Sequence, residues 1–168
     1  MKIKTLRDLF DIELQYAYDC EQKLVKKGIP AMIEGANSPE LRTALQHHLS
    51  ETQNHVTRLD RVFGIIGTKP DTKGNDVLDE IMESASDSVS HLEGSPLRDA
   101  ALIANGNLVE HYEIALYGSL AAFARNLGLS EAATLLEQTL QEEKTADAKL
   151  TQLAESSLNP RAARYQTA

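Results

Sequence analysis

Apolar side chains recur every three or four positions along four long stretches of this chain, the spacing that lines one face of an α-helix. Leu6, Phe10, Leu14, Ala17, Glu21, Leu24 and Gly28 share one stripe, which predicts a helix over about 5–35. Gly28-Ile29-Pro30 is expected to bend that helix or end it early, because proline lacks a backbone donor and clashes with the preceding turn. Ser38 with Pro39 behind it is a helix start. The second helix, over about 38–66, carries Leu41, Leu45, His48, Glu51, His55, Leu59 and Val62 on one face. A third, over about 97–127, spaces Leu102, Asn105, Leu108, Tyr112, Ala115, Ser119 and Ala122. Gly128 then reads as a stop and Ser130 as an N-cap, opening a fourth helix over about 130–156.

Between the second and third helices, residues 67–96 shift to Thr, Lys, Pro, Asp, Gly and Ser, with one short helical stretch around Asp76 to Ser90. A crossover of that length lets the third helix run parallel to the second. The expected architecture is therefore all-α, an antiparallel four-helix bundle over residues 1–157 with a long crossover carrying a short extra helix. Residues 158–168 lack periodicity and are expected to form a loose arm or an oligomer contact.

Two carboxylate pairs change the picture. Glu21 and Glu51 are separated by 30 positions, as are Glu113 and Glu143, and both midpoints fall on helix-breaking signals, Ala36 beside Asn37-Ser38-Pro39 and Gly128. Height along a helix is set by distance from the turn, at about 1.5 Å per residue, so each pair is expected to meet side by side. Bare buried carboxylates are untenable together, and something positive belongs between them. His55 and Asp147 follow Glu51 and Glu143 by four, on the same faces, and imidazole with carboxylate is a ligand mixture that suits Mn or Fe. Tyr18 and Glu110 occupy the equivalent positions on the partner helices. Glu110 is either a further ligand or the acceptor of the Tyr18 hydroxyl, and His48 is expected to donate to a ligating carboxylate rather than to ligate. Tyr18, Tyr112 and Tyr117 read as amphipathic core residues with bonded hydroxyls, and Cys20 as a small buried hydrophobe.

Composition narrows the function classes. A chain of 168 residues, 42% hydrophobic, can bury one real core. Its net charge of −8 argues against a nucleic-acid surface. One cysteine excludes a disulfide framework, and the N-terminus lacks the apolar run of a signal peptide, so a cytoplasmic location is expected. There is no apolar run of membrane-spanning length, and neither a phosphate-binding glycine loop nor a nucleophile elbow.

The strings Tyr18-Asp19-Cys20-Glu21-Gln22-Lys23-Leu24, His48-Leu49-Ser50-Glu51-Thr52 with His55, Leu108 to Gly118, and Glu142-Glu143-Lys144 with Asp147 resemble the YciF/YciE-type stress-induced ferritin-like family. The resemblance covers roughly Thr5 to Leu153. It implies a ferritin-like bundle, a carboxylate-bridged site for two Fe or Mn ions per chain, and a homodimer. The wider superfamily uses Glu-x-x-His on two helices, whereas this chain has Glu-x-x-x-His at Glu51/His55 and Glu-x-x-x-Asp at Glu143/Asp147. The metal set expected is thus Glu21, Glu51, His55, Glu110, Glu113, Glu143 and Asp147, with Tyr18 and His48 behind it. The functional expectation is a stress-associated non-haem dinuclear protein that removes peroxide or oxidises Fe(II). The alternative is a non-catalytic structural stress-response dimer whose carboxylate cluster only holds helices together. An iron-storing cage fits less well with a kinked first helix and a long crossover.

Overall fold

The structure, a computed structural model, describes residues 3–92 and 94–165. Met1 and Lys2, position 93 of the expected crossover and positions 166–168 of the expected tail lie outside the described residues. The elements are α1 (Leu6–Lys23), a π turn (Leu24–Gly28), α2 (Ile29–Gly35), α3 (Pro39–Ile65), α4 (Asp76–Ser90), α5 (Pro96–Asn126), α6 (Ser130–Leu153), a second π turn (Ala154–Leu158) and α7 (Asn159–Ala163). No strand occurs among the described residues.

Capping side chains fix the helix starts. Thr5 and Asp8 form a reciprocal capping box at α1, the Ser38 hydroxyl accepts from the Leu41 amide, and Asn75 accepts from the Leu78 amide at 3.1 Å. At the stops, Gly67 and Gly128 take φ of 74° and 73°. Each closes a Schellman turn, in which Thr68 donates to Phe63 and Leu129 to Ala124. After Gly128 the chain re-enters helix so quickly that Ser130 is already helical and Leu129 occupies the N-cap, its carbonyl accepting from Ala133. The expected Ser130 cap is corrected accordingly.

Each long helix buries a stripe whose intervals alternate four and three, the 3.5-residue repeat of helices packed at a shallow angle. On α1 it is Phe10, Leu14, Ala17, Glu21 and Leu24; on α3, Leu41, Leu45, His48, Thr52, His55, Leu59 and Val62. On α5 it is Asp99, Ile103, Gly106, Glu110, Glu113, Tyr117, Leu120 and Ala124; on α6, Ala132, Leu136, Thr139, Glu143, Ala146 and Leu150. The α5 stripe differs from the expected one, and Leu108 is 51% exposed. α5 is apolar on most of its circumference, so hydrophobicity alone does not reveal its inward face, although Glu110 and Glu113, expected inside, are buried.

Asp99, near the start of α5, accepts from the Asn37 and Ser38 amides at 2.7 and 2.9 Å at the start of α3. The two helices therefore begin at the same end and run parallel, as the crossover predicted, while α1 and α6 run the other way. Along the crossover, Asn75 donates to Asp19 and to the Tyr16 carbonyl, and accepts from Tyr112, tying α4 to both α1 and α5.

Pro30 does not end helix one. The Ile29 amide donates to the Leu24 carbonyl, five residues back, and this widened turn accommodates the extra residue and the proline ring together. Asn159 and Pro160 repeat the device after the π turn at Ala154–Leu158. Helix continues to Ala163 with Leu158 and Ala162 buried, so the described part of the expected tail is packed structure rather than a loose arm. Deleting Lys26 removes the extra residue and sets Pro30 against a carbonyl four residues back. Urea denaturation is expected to show a loss of about 3 kcal/mol, recovered in large part when Pro30→Ala is added. Equal stability of the single deletion and the parent would refute this account.

Candidate metal centre

The middle of the four stripes is polar, and these polar positions meet. Glu21 on α1, His55 on α3 and Glu143 on α6 each offer a ligand atom within 4.8 Å of the others, and so do His48, Glu110 on α5 and Glu143. Glu143 belongs to both groups. His55 Nδ1 lies 2.9 Å from Glu143 Oε1 and 3.3 Å from Glu21 Oε1. His48 Nε2 lies 3.1 Å from Glu110 Oε1 and 3.9 Å from Glu143 Oε2. Glu113 is buried beside them, with Cys20 Sγ 3.6 Å from its Oε1.

The expected pairing of Glu21 with Glu51 is corrected: Glu21 faces His55. Helical side chains lean toward their own N-terminus, so Glu21 reaches away from the turn and His55 reaches back toward it. The 3.5-residue repeat of α3 places Thr52 and His55 inward and leaves Glu51 on the flank, 24% exposed and 3.1 Å from His47 Nδ1. Asp147 likewise flanks Ala146 and Leu150. It is 22% exposed, within 3.2 Å of His111 Nδ1, and accepts from Asn107 at 2.8 Å. The Tyr18 hydroxyl donates to Asp60 at 2.7 Å, not to Glu110, whose neighbour is His48. His48 is thus at the cluster itself. All three tyrosines named from sequence have bonded hydroxyls, and that of Tyr117 donates to Glu21.

Three residues were not anticipated. His55 Nε2 lies 2.7 Å from Glu142, and Arg58 donates to both oxygens of that carboxylate at 2.9 and 3.0 Å. With Nε2–H donating to Glu142, Nδ1 is the nitrogen that faces Glu21 and Glu143, and its lone pair would become available to a metal that displaced its proton, the way a carboxylate orients a ligating imidazole. Thr139 accepts from Arg58 at 2.6 Å and fixes the guanidinium. The i, i+3 spacing of His55 and Arg58 was visible in the sequence, but only the α3/α6 contact shows that both reach Glu142.

The cluster does not satisfy itself. Glu21 Oε2, His48 Nδ1, His55 Nδ1, Glu110 Oε2, Glu113 Oε2 and both oxygens of Glu143 are buried without a hydrogen-bond partner. His55 Nδ1 and Glu143 Oε1 are 2.9 Å apart yet not aligned to bond. Buried polar atoms normally find partners. Carboxylates and imidazoles converging in this way fit Fe or Mn.

Electrostatics agree. Burial raises Glu21 and pushes Glu110 up to about 7 against the pull of His48. Burial, with Glu143, Glu21 and Glu110 adding repulsion, holds Glu113 well above the carboxylate range. Burial alone would depress both histidines, but the adjacent carboxylates override it and raise His48 to about 10 and His55 to about 11. Glu51, interacting with His48, falls to about 2.

Without metal, then, the folded site holds protons that the unfolded chain releases. Stability from such raised groups is complete below their unfolded values and lost as pH rises through the folded ones. For Glu110 that window ends at about 7, and for the histidines at about 10 and 11. Urea denaturation of metal-free protein is expected to give lower stability at about pH 9 than at about pH 6. Added Mn(II) should remove most of the difference by replacing the protons. Stability that rises with pH in the metal-free protein would contradict the arrangement.

Comparison with known proteins places these features in a family context. Residues 5–163 match the model of a family described as a domain of unknown function, DUF892. Protein YciF of Escherichia coli K12 is 37% identical over 163 residues, spanning 96% of this chain and 98% of that protein. The crystal structure of the E. coli stress protein YciF superposes with a TM-score of 0.88, covering 94% of this chain and 99% of the other at 37% identity. YcfI from Rhodopseudomonas palustris gives 0.87 at 39% identity, covering 89% and 95%. A protein from Xanthomonas campestris, 23% identical with a TM-score of 0.69 over 90% and 92%, shares the fold. No helix among the described residues is long and apolar enough to cross a membrane.

Proposed function

We propose a function from the premise that this chain belongs to the DUF892 family and is a YciF-like, ferritin-like bundle: it is a stress-associated non-haem protein that holds two Fe or Mn ions per chain and turns over peroxide or Fe(II). The observation that carries this reading is the convergence of Glu21, His55 and Glu143 and of His48, Glu110 and Glu143, within which His55 Nδ1 and both Glu143 oxygens are buried without a hydrogen-bond partner. The stress association comes from the description of E. coli YciF as a stress protein.

In this reading Glu21, His55 and Glu143 would hold one ion and His48, Glu110 and Glu143 the other, with Glu113 buried beside them. Glu51 and Asp147 stay on the flanks. Bound ions would supply Lewis acidity and redox equivalents to a small oxidant. The chain's residues do the rest. Tyr117 holds Glu21 in position through its hydroxyl, and Glu142 with Arg58 fixes the tautomer and tilt of His55. The apolar layers on both sides, Leu14 and Leu120 toward one end and Leu41 and Leu45 toward the other, keep bulk water from the carboxylates. A cavity of about 180 Å³ lined by His47, His48, Glu51 and Lys149 opens between α3 and α6, and it suits entry of a small molecule or ion. The homodimer implied by the resemblance and a cytoplasmic location are parts of the same proposal.

Elemental analysis of protein purified without chelators or a polyhistidine tag tests the reading, followed by peroxide and Fe(II) turnover. About two Fe or Mn per chain with turnover supports it. Substoichiometric metal and no turnover would sink it in favour of a structural dimer, whose cluster is neutralised by protons alone.

A further inference from the structure

A second site lies between the π turn, α2, α4 and α5. It is a cavity of about 620 Å³ that shares no lining residue with the carboxylate cluster. Its walls include Leu24, Met32, Met82, Val89, Leu102 and Val109, and its volume falls within the roughly 300–1,000 Å³ usual for small-molecule sites. Backbone forms part of the lining. A Cβ on Gly35 would lie 3.2 Å from the Arg98 guanidinium, and one on Gly28 2.9 Å from Leu24 and 3.6 Å from Met82. Both glycines therefore preserve the space beside the arginine and the methionine.

Arg98 carries the argument. Its Nε is buried without a hydrogen-bond partner, and the arginine ion pairs among the described residues are made by Arg7, Arg58, Arg61, Arg125 and Arg161. Arg98 as a whole is half-buried, but its guanidinium keeps its charge, so a buried Nε–H without a partner beside this cavity favours an anion. Lys27 adds a second positive charge among the lining residues, opposed by Glu34, and both are exposed. Asn105 is already committed to α4, donating to Ser88 at 2.8 Å, and leaves the anion to Arg98. Methionine side chains adapt to a flexible apolar body.

We propose that this cavity binds a free single-chain organic anion, an alkyl carboxylate of medium length, with its head on Arg98 and its chain against Met32, Met82 and Leu102. Isothermal titration of the full chain with decanoate tests it. Saturable binding is expected, weaker by roughly tenfold or more for decanol and for Arg98→Gln, since each loses the charge-assisted bond. Ala85→Trp, which fills the space, should abolish binding. The decanoate and decanol comparison uses unaltered protein and stands even if a variant misfolds. Absence of saturable decanoate binding, or equal binding of decanoate and decanol, would overturn the proposal. Retention of the protein on phosphatidylglycerol vesicles, lost in Arg98→Gln, would also overturn it, in favour of a membrane lipid.

Discussion

Glu143→Ala is expected to strip the chain of essentially all bound Fe or Mn, while Glu51→Ala keeps close to the parent content. Glu143 is common to both groups of candidate ligands, its two oxygens facing His55 and His48 from a position almost sealed from solvent. Removing it takes a donor from both groups at once. Changes that merely disturb the support of a ligand cost about 10–100-fold in metal affinity, and loss of a shared ligand costs more. Glu51, by contrast, sits on the flank beside His47 and His48. Elemental analysis of both variants after identical purification is the check. A Glu51→Ala protein as empty as Glu143→Ala would mean that Glu51 swings inward to ligate, and the division between stripe and flank would fail.

The second large effect belongs to His55. Its ring is fully buried, with Glu142 on one nitrogen and Glu21 and Glu143 on the other. His55→Ala removes the positive partner of buried acids and opens a gap in the core. Breaking a buried charged pair by deleting one member costs about 3–5 kcal/mol, and metal-free His55→Ala protein is expected to lose at least about 3 kcal/mol in urea denaturation near neutral pH. His47→Ala, at a side chain 62% exposed, should fall within about 0.5 kcal/mol of the parent. Similar losses in both variants would show that the buried charges are not held by His55.

Much of the fold was legible because its signals are local. Pro39 behind Ser38, the glycine at 128, and long periodic apolar runs mark helices wherever they stand, and the length of the crossover allows parallel α3 and α5. The composition of the cluster was legible for the same reason: a glutamate within an apolar stripe needs an explanation in any fold. Glu51 and Asp147 of the expected set lie on the flanks of their helices instead of in the cluster, because two neighbouring phases of one helix both looked plausible. Counting four back from His55 reaches Glu51, whereas the 3.5-residue repeat running from Leu41 to Val62 passes through Thr52 instead.

The sequence by itself therefore determined the four-helix class, the turns and the presence of inward acids, since each depends on neighbours within a few residues. Tertiary structure decided which side chains meet. The lean of side chains toward each helix N-terminus sets Glu21 against His55. The approach of α3 to α6 brings Glu142 and Arg58 to the far side of that histidine. The widened turn at Leu24–Gly28 lets the stripe continue past Pro30. These outcomes depend on relative rotation and height of helices distant in the chain, and those quantities are fixed only when the bundle packs.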